Sequence, residues 1–281
     1  MARRLSFRFD VDSHRCLGDG TRALTEVAAR YGVAFTFFVH MGRATDRGRT
    51  ARSVLFRRDA GNEVHRLSTR RKLGTAGLLR LAVTNPRVGA EGGDEIRRLV
   101  AAGHEIGLHG GRNHRSWQDA ADRWDHRRLT AEIGWGLAHL HAAGVEVPVG
   151  FSSPAWTTSP AVARVASDLG IAYLADRHGT AIEGVTRDTG PLPDVATNVL
   201  GEPGGVGYLE WGRAQGWSDT EILDDFARRL DAVDDLAVVY DHPFWAGVHD
   251  ADLVGRMLDV ATRQDIEILP LVAAVDVAPH G

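Results

Sequence analysis

The chain has 281 residues, and its 43% hydrophobic and 25% charged content is ordinary for a soluble globular protein. Its net charge of −4 is mild, no run of about 18 apolar residues predicts a membrane span, and a single cysteine excludes an internal disulfide framework. Charged positions follow the basic N-terminus at once, so no signal peptide is predicted. We therefore expect a cytoplasmic protein with one domain covering residues 1–281.

Strand and helix patterns alternate along most of the chain, and several helices end on a glycine. Ser218 and Glu221 predict a capping box at the start of one helix. The predicted elements are a strand at 5–12, a helix at 21–32, a strand at 33–40, a helix and a strand within 93–109, a helix at 129–144, a strand at 147–154, a helix and a strand within 159–176, a helix from 218 to about 233, a strand at 236–243, a helix from 251 and a last strand at 267–272.

This alternation, together with continuous apolar runs, indicates buried parallel strands joined by helices. Seven or eight such units in a chain of this length favour a barrel, and an open doubly wound sheet is the alternative.

One segment, at about 43–90, interrupts the alternation. It carries twelve basic and only three acidic residues, a net charge of about +9 in a chain that is negative as a whole. Basic and amphipathic composition suits a membrane surface or an anionic substrate. The equally weighted alternative is a solvated insertion that covers one end of the barrel.

Polar residues able to bind a metal follow the predicted strands. In parallel α/β folds the carboxyl ends of the strands meet at one face, so these side chains are expected to lie together. A carboxylate and two imidazoles suit a divalent transition metal that keeps open positions for water and substrate. Taken singly, each residue could equally be a helix cap or a core histidine. The candidates are Asp10, Asp12, His109, His114, Ser153, Pro154, Asp176 and His242.

The ordered motifs RFDVDSH, FTFFVH, GHEIGLHGGRNH, GFSSPAW, YLADRHG and VVYDHPFWAG resemble those of the polysaccharide deacetylase superfamily, carbohydrate esterase family four. Within it the chain is most similar to the undecaprenyl-phosphate formamido-arabinose deformylases. The resemblance runs from residue 5 to about residue 272 and is weakest at 43–90 and 180–215.

The resemblance implies an α/β fold, a distorted (β/α)7 barrel, and metal-dependent removal of an N- or O-acyl group. We expect the reaction to be hydrolysis of a linear amide by a deacetylase or deformylase. The resemblance also implies Asp10 as general base and His242 as general acid, and Asp176 as a residue that holds or tunes a catalytic group. The alternative for Asp176 is a helix cap or a surface ion pair. The implied metal is zinc, with cobalt, nickel, iron or manganese as alternatives, and its implied ligands are Asp12, His109 and His114.

Two departures from the family pattern stand out. The family usually spaces its two metal histidines four residues apart, which here falls on Asn113; one inserted residue, absorbed by Gly110 and Gly111, brings His114 into the ligand position. Asn113 as an oxygen ligand is the alternative. Many members also carry an arginine in the fourth-strand motif, where this chain has Ser152.

The expected substrate is an amino-sugar amide with an N-formyl or N-acetyl group. It is either linked to a polyprenyl phosphate at the inner membrane face or a soluble glycoside or nucleotide sugar. Segment 43–90 is a candidate for peripheral membrane contact, and a nucleic-acid partner is not expected. The alternatives are hydrolysis of a non-sugar amide and a catalytically inactive barrel that binds membrane or glycan. The residues expected to contact substrate are Ser153, Pro154, Trp156, Tyr240 and Trp245.

Overall fold

A computed structural model of the chain describes residues 3–44, 85, 87–146, 150–179, 185–186, 190–201 and 205–275. Most of the basic segment at 43–90 lies outside these residues, so its contact with a membrane or a substrate stays a prediction. In the described part of the chain, every helix is too short or too polar to cross a bilayer.

The described strands form one sheet. They are β1 (Arg4–Val11), β2 (Thr36–Val39), β3 (Glu105–His109), β4 (Gly150–Ser152), β5 (Tyr173–His178), β6 (Val185–Thr186), β7 (Asp194–Thr197), β8 (Leu236–Asp241) and β9 (Glu267–Ile268). Seven of them are parallel neighbours in the order β7-β5-β4-β3-β2-β1-β8, while β6 pairs antiparallel with β7 and β9 pairs with β1. The prediction of parallel strands joined by helices is therefore confirmed.

The two ends of this sheet meet just after β7, which nearly closes a barrel. Val199 bridges Val239 in parallel, and the side chain of Asn198 continues the pairing. Its amide nitrogen donates to Leu236 O at 2.9 Å, and its amide oxygen accepts from Val238 N at 2.8 Å. Asn198 thus replaces two backbone partners at the point where the barrel closes.

Strand β1 has an apolar outer face and a polar inner face. Leu5, Phe7 and Phe9 are at most 1% exposed and pack in the main hydrophobic core under the helices. Alternate residues point into the barrel, so Arg8 and Asp10 are buried inside it. A parallel strand with charged residues on its buried face needs specific partners for those charges.

The lower end of the barrel is filled by a second apolar cluster that includes Phe38, Tyr173 and the C-terminal helix Leu271–Ala274. Glu105 accepts hydrogen bonds from Tyr173 Oη at 2.5 Å and from the Val272 backbone at 2.9 Å. Burial raises the pKa of Glu105 above its ordinary value, and these bonds offset part of that increase. This end is therefore closed, which leaves the carboxyl ends of the strands for a site.

Longer helices cover the outer face, and most begin and end near the predicted positions. They are Thr21–Tyr31, Gly93–Ala101, His114–Ala120, His126–Ala142, Pro160–Asp168, Tyr208–Ala214, Asp219–Asp231 and Ala251–Arg263. Gly32 ends the first with a left-handed φ of 63°, and the capping box of Ser218 and Glu221 is present.

The last predicted strand, at 267–272, is wrong in its second half. Within it, only Glu267–Ile268 pairs with β1, and Pro270 precedes the helix Leu271–Ala274. Proline has no N–H to donate to a sheet but fits the start of a helix, so the apolar run after it turns away from the barrel wall.

Replacing Asn198 with alanine is expected to lower the free energy of unfolding by about 2–4 kcal/mol, because two buried backbone groups lose their partners. Urea unfolding followed by circular dichroism measures this. Thr130→Ala is the control, because that exposed hydroxyl bonds only within its own helix and its loss should cost under about 0.5 kcal/mol. Equal midpoints for the two variants would contradict the role of Asn198 in closing the barrel.

Candidate active site

Asp12, His109 and His114 meet at the carboxyl ends of β1 and β3. Asp12 Oδ1 lies 3.3 Å from His109 Nε2 and 3.2 Å from His114 Nε2. One ligand atom from each residue fits within a sphere small enough for a single ion. The structure therefore brings together the residues that the sequence proposed as metal ligands.

The donor atoms of this cluster fit a cation. Asp12 Oδ1 and His114 Nε2 are buried and make no hydrogen bond within the described part of the chain. Burial would raise the pKa of Asp12, but His114, His109 and His242 together hold it well below its usual range. An ionised carboxylate between two imidazoles is a suitable donor set for zinc or a similar divalent ion.

A hydrogen bond on the far nitrogen of His109 orients its ring. Nδ1 lies 2.7 Å from Ser152 Oγ and 3.1 Å from Ser152 O, where the imidazole N–H can donate to the carbonyl. That tautomer leaves the lone pair on Nε2, facing Asp12. Such bonds are the usual means by which proteins fix a metal-binding histidine.

Local backbone geometry explains how His114 reaches the cluster despite the inserted residue. Gly110 has a left-handed φ of 68°, which a residue with a side chain rarely adopts. Asn113 Oδ1 accepts from Ser116 N at 2.9 Å and caps the helix that begins at His114. The amide oxygen of Asn113 is thus used as a helix cap, and the imidazole of His114 faces Asp12.

Asp10 lies beside His109 of the cluster. Its Oδ2 is 3.8 Å from His109 Nε2, and both of its oxygens accept from Nη2 of Arg8, at 2.9 and 3.0 Å. Both residues of this pair are nearly inaccessible, with Arg8 1% and Asp10 4% exposed. The neighbouring guanidinium offsets the repulsion between the carboxylates of Asp10 and Asp12.

His242, directly after β8, faces the same cluster. Its Nε2 lies 3.4 Å from Asp12 Oδ2 and 3.3 Å from Tyr240 Oη, and its Nδ1 lies 3.4 Å from Glu210 Oε2. Burial would lower the pKa of His242, but Asp12 and Glu210 outweigh it and raise that pKa well above the ordinary value of 6.5. The imidazole is therefore suited to hold a proton at neutral pH.

Asp241 fixes the helix that supplies Glu210. Its Oδ2 accepts from the backbone N–H of Leu209 at 2.6 Å, at the N-terminus of the helix Tyr208–Ala214. A Cβ atom at position 207 would lie only 2.5 Å from Asp241 Oδ1, which is too close for any residue with a side chain. Glycine at 207 thus allows β8 to anchor this helix close to the site.

Asp176 contacts the loop that follows β4. The Asp176 carboxylate accepts from Ser153 N at 2.5 Å and from Ser153 Oγ at 2.7 Å. Burial raises its pKa, and the bonds from Ser153 and Thr158 reduce that increase. Asp176 therefore holds the loop after β4, and its role in holding or tuning a catalytic group stays a prediction.

The loop after β4 has a constrained backbone. Ala155 and Trp156 both adopt positive φ, 52° and 58°. The N–H groups of Ser153, Trp156 and Thr157 already donate within the protein, so they are not free to bind an oxyanion. Pro154 is buried in the same loop.

The aromatic residues predicted to contact substrate differ in exposure. Trp156 is partly exposed and packs edge-on against Tyr240, with ring centres 5.4 Å apart. Trp245 is only 8% exposed and packs against Phe244 and His249. Trp156 thus has an accessible surface at the site, whereas Trp245 belongs mainly to the core.

Sequence reasoning missed two residues of this site. Arg8 could have been found, because it shares the inward parity of Asp10 on a strand whose other face is apolar. Glu210 lies in the stretch where the motifs are weakest, and no local pattern distinguishes it from an ordinary helical glutamate. Only the anchoring of its helix by Asp241 brings it to His242.

The chain is similar to known proteins in sequence and in fold. The family model described as polysaccharide deacetylase matches residues 2–174. A Shewanella sediminis protein named as a probable 4-deoxy-4-formamido-L-arabinose-phosphoundecaprenol deformylase, ArnD, is 25% identical over 275 residues, which cover 97% of this chain and 86% of that one.

Solved structures share the fold at low sequence identity. A Mycobacterium smegmatis protein described as a polysaccharide deacetylase has a TM-score of 0.63 at 18% identity, covering 98% of this chain and 90% of that one. A family 4 carbohydrate esterase from Streptomyces lividans has a TM-score of 0.55 at 12% identity, and the match covers 95% of this chain and 93% of that one. A carbohydrate esterase family 4 pseudoenzyme from Bacillus anthracis has a TM-score of 0.59 at 13% identity. The match covers 98% of this chain and 66% of that one. The predicted (β/α)7 barrel is confirmed.

Proposed function

Because this chain belongs to the polysaccharide deacetylase family, we propose that it is a metal-dependent hydrolase that removes an N-formyl or N-acetyl group from an amino-sugar amide. Family membership indicates an amide hydrolase of the deacetylase or deformylase type. The observation that carries the proposal is the cluster of Asp12, His109 and His114, whose buried donor atoms converge on one point.

Asp12, His109 and His114 would hold the metal, with zinc as the first candidate. A divalent ion bound there would lower the pKa of its water to near neutrality and would polarise the amide carbonyl. Two residues beside the cluster would move protons in the reaction, and their opposite charges suit them to different steps.

Asp10 is the proposed general base. Its carboxylate lies beside the cluster and is held by Arg8, so it can accept a proton from the attacking water. The new carbon–oxygen bond forms on the acyl carbon as that proton moves to Asp10.

His242 is the proposed general acid. An amine is a poor leaving group unless it is protonated, and the raised pKa of His242 keeps a proton available at neutral pH. Cleavage of the carbon–nitrogen bond transfers this proton to the departing nitrogen, which leaves a formate or acetate and the free amino sugar.

The substrate class rests on the similarity to the Shewanella sediminis deformylase, which supports a formamido sugar linked to a polyprenyl phosphate. Partly exposed Trp156 offers a flat apolar face on which a sugar ring can pack. The basic composition of 43–90 would suit an anionic carrier, and its contact with a membrane face is part of the same proposal.

Release of formate and acetate from matched substrates tests the proposal. The purified protein, supplied with zinc, is incubated with N-formyl and N-acetyl versions of one polyprenyl-phosphate-linked 4-amino sugar and of the lipid-free sugar. We expect formate release that is fastest from the lipid-linked substrate. No release from any of the four compounds by zinc-loaded protein would instead favour a catalytically inactive barrel.

Glu210→Gln is expected to reduce kcat by about tenfold and to shift its pH dependence. His242 must be protonated to act, so kcat falls as pH rises through its pKa. Loss of the Glu210 carboxylate lowers that pKa, so the fall occurs at a lower pH in the variant. A pH–kcat profile measures this, and an unchanged alkaline limb would contradict the proposed pairing.

A further inference from the structure

Arg8 is a buried cation that has no role as acid, base or metal ligand in the proposed reaction. It lies two residues before Asp10 on the inner face of β1 and is 1% exposed. Arginine stays charged at every physiological pH, and a charge this deeply buried needs a strong partner. That partner is Asp10, whose two oxygens both accept from Nη2.

The opposite side of the guanidinium is fixed to two other strands. Nη1 donates to Ala175 O on β5 at 2.6 Å and to Thr197 Oγ1 on β7 at 3.2 Å. Arg8 therefore spans the inside of the barrel from β1 to the strands beside its closure. The guanidinium group cannot rotate without breaking bonds to two separate strands.

Aromatic rings surround the guanidinium. Its central carbon lies 4.6 Å from the ring centre of Trp156, 4.9 Å from that of Phe38 and 5.2 Å from that of Tyr240. The Trp156 ring reaches this position from a turn with two consecutive positive φ angles. Arginine packs well against aromatic faces because its guanidinium is flat and weakly hydrated.

We propose that Arg8 is a positioning residue for Asp10: its guanidinium, held by Ala175, Thr197 and the aromatic rings, fixes the position of the carboxylate that accepts the proton of the attacking water. Nη2 contacts both carboxylate oxygens at nearly equal distances, so the carboxylate is held at one place beside the cluster. The inference rests on the proposed role of Asp10 as base.

Lysine cannot replace Arg8 in holding the carboxylate of Asp10. A lysine carries the same charge but lacks the second nitrogen that reaches Ala175 and Thr197. Arg8→Lys therefore keeps a cation near Asp10 but loses the bonds to Ala175 and Thr197 that hold the cation in place. Because small misplacements of a reacting group are costly, we expect kcat to fall by about 10²-fold with KM and zinc affinity changed less than about threefold.

Thr197→Val is a second variant that leaves both Arg8 and Asp10 in place. It removes one acceptor from the guanidinium without changing the side-chain shape, and kcat should fall by about fivefold. If Thr197 acts through Arg8, adding Thr197→Val to Arg8→Lys should lower kcat no further. A further fivefold fall in kcat in this double variant would overturn the proposed coupling.

Arg4→Met is the matched control. Arg4 pairs with Asp235 at the other end of the same strand, with Nη2 2.7 Å from the carboxylate. Its loss should reduce stability and leave kcat and KM unchanged. A fall in kcat for Arg8→Lys no larger than for Arg4→Met would show that Arg8 only stabilises the fold.

Asp10→Asn separates this inference from the proposed function. If Asp10→Asn retains turnover, the role of Asp10 as base is wrong and the inference fails with it. If Asp10→Asn is inactive while Arg8→Lys and Thr197→Val both keep wild-type kcat, the proposed function stands and the positioning role of Arg8 is wrong.

Discussion

Asp10→Asn is expected to reduce kcat by about 10²- to 10⁴-fold while zinc still binds. Asparagine preserves the shape of the side chain and its place beside Arg8, but its amide cannot accept the proton of the attacking water. Because Asp10 lies 3.8 Å from the nearest histidine nitrogen of the cluster and is not one of the grouped ligands, the metal should be retained. Formate release and zinc content of the same preparation measure both properties.

Asp235→Asn controls for the loss of a carboxylate paired with arginine. Asp235 accepts from Arg4 at the far end of β1, away from the cluster. This variant should keep wild-type kcat. Full activity in Asp10→Asn would contradict the assignment of the base, and loss of zinc from Asp10→Asn would move Asp10 into the ligand set.

His114→Ala is expected to abolish stoichiometric zinc binding and to lower turnover by at least about 10²-fold. Removal of one of three protein ligands leaves a two-residue site, and the ion that would make hydroxide available at neutral pH is lost. Isothermal titration of metal-depleted protein with zinc measures the binding directly, independently of activity.

Asn113→Ser is the matched control for that variant. Serine retains an oxygen that can cap the helix starting at His114, but it removes the amide oxygen that the alternative ligand set would use. Zinc binding in Asn113→Ser should match that of the wild type. If Asn113→Ser lost zinc and His114→Ala kept it, Asn113 rather than His114 would be the third metal ligand.

Much of the fold could be predicted from local patterns. The glycine that ends the first helix, the Ser218 capping box and the alternating strands all act over a few residues, and each is present in the structure. The closure of the barrel could not be predicted this way. It depends on Asn198 pairing with a strand almost forty residues later, a contact that no short pattern encodes.

Some residues of the candidate site could also be predicted from local patterns, and others could not. Residues that end or directly follow strands, such as Asp12, His109 and His242, could be predicted because parallel strands end at a common face. Glu210 could not, because it reaches His242 from a helix whose position depends on Asp241 and Gly207. Asp176 lies within β5, two residues before the strand ends, and its carboxylate binds the Ser153 loop.

We propose that Asp12, His109 and His114 hold a metal on which amide hydrolysis depends. Formate release from an N-formyl amino-sugar substrate, measured as metal-depleted protein is titrated with zinc, tests this role. We expect no turnover in the depleted protein and a rise to a plateau at one zinc per chain. Wild-type turnover in the fully depleted protein would contradict the claim.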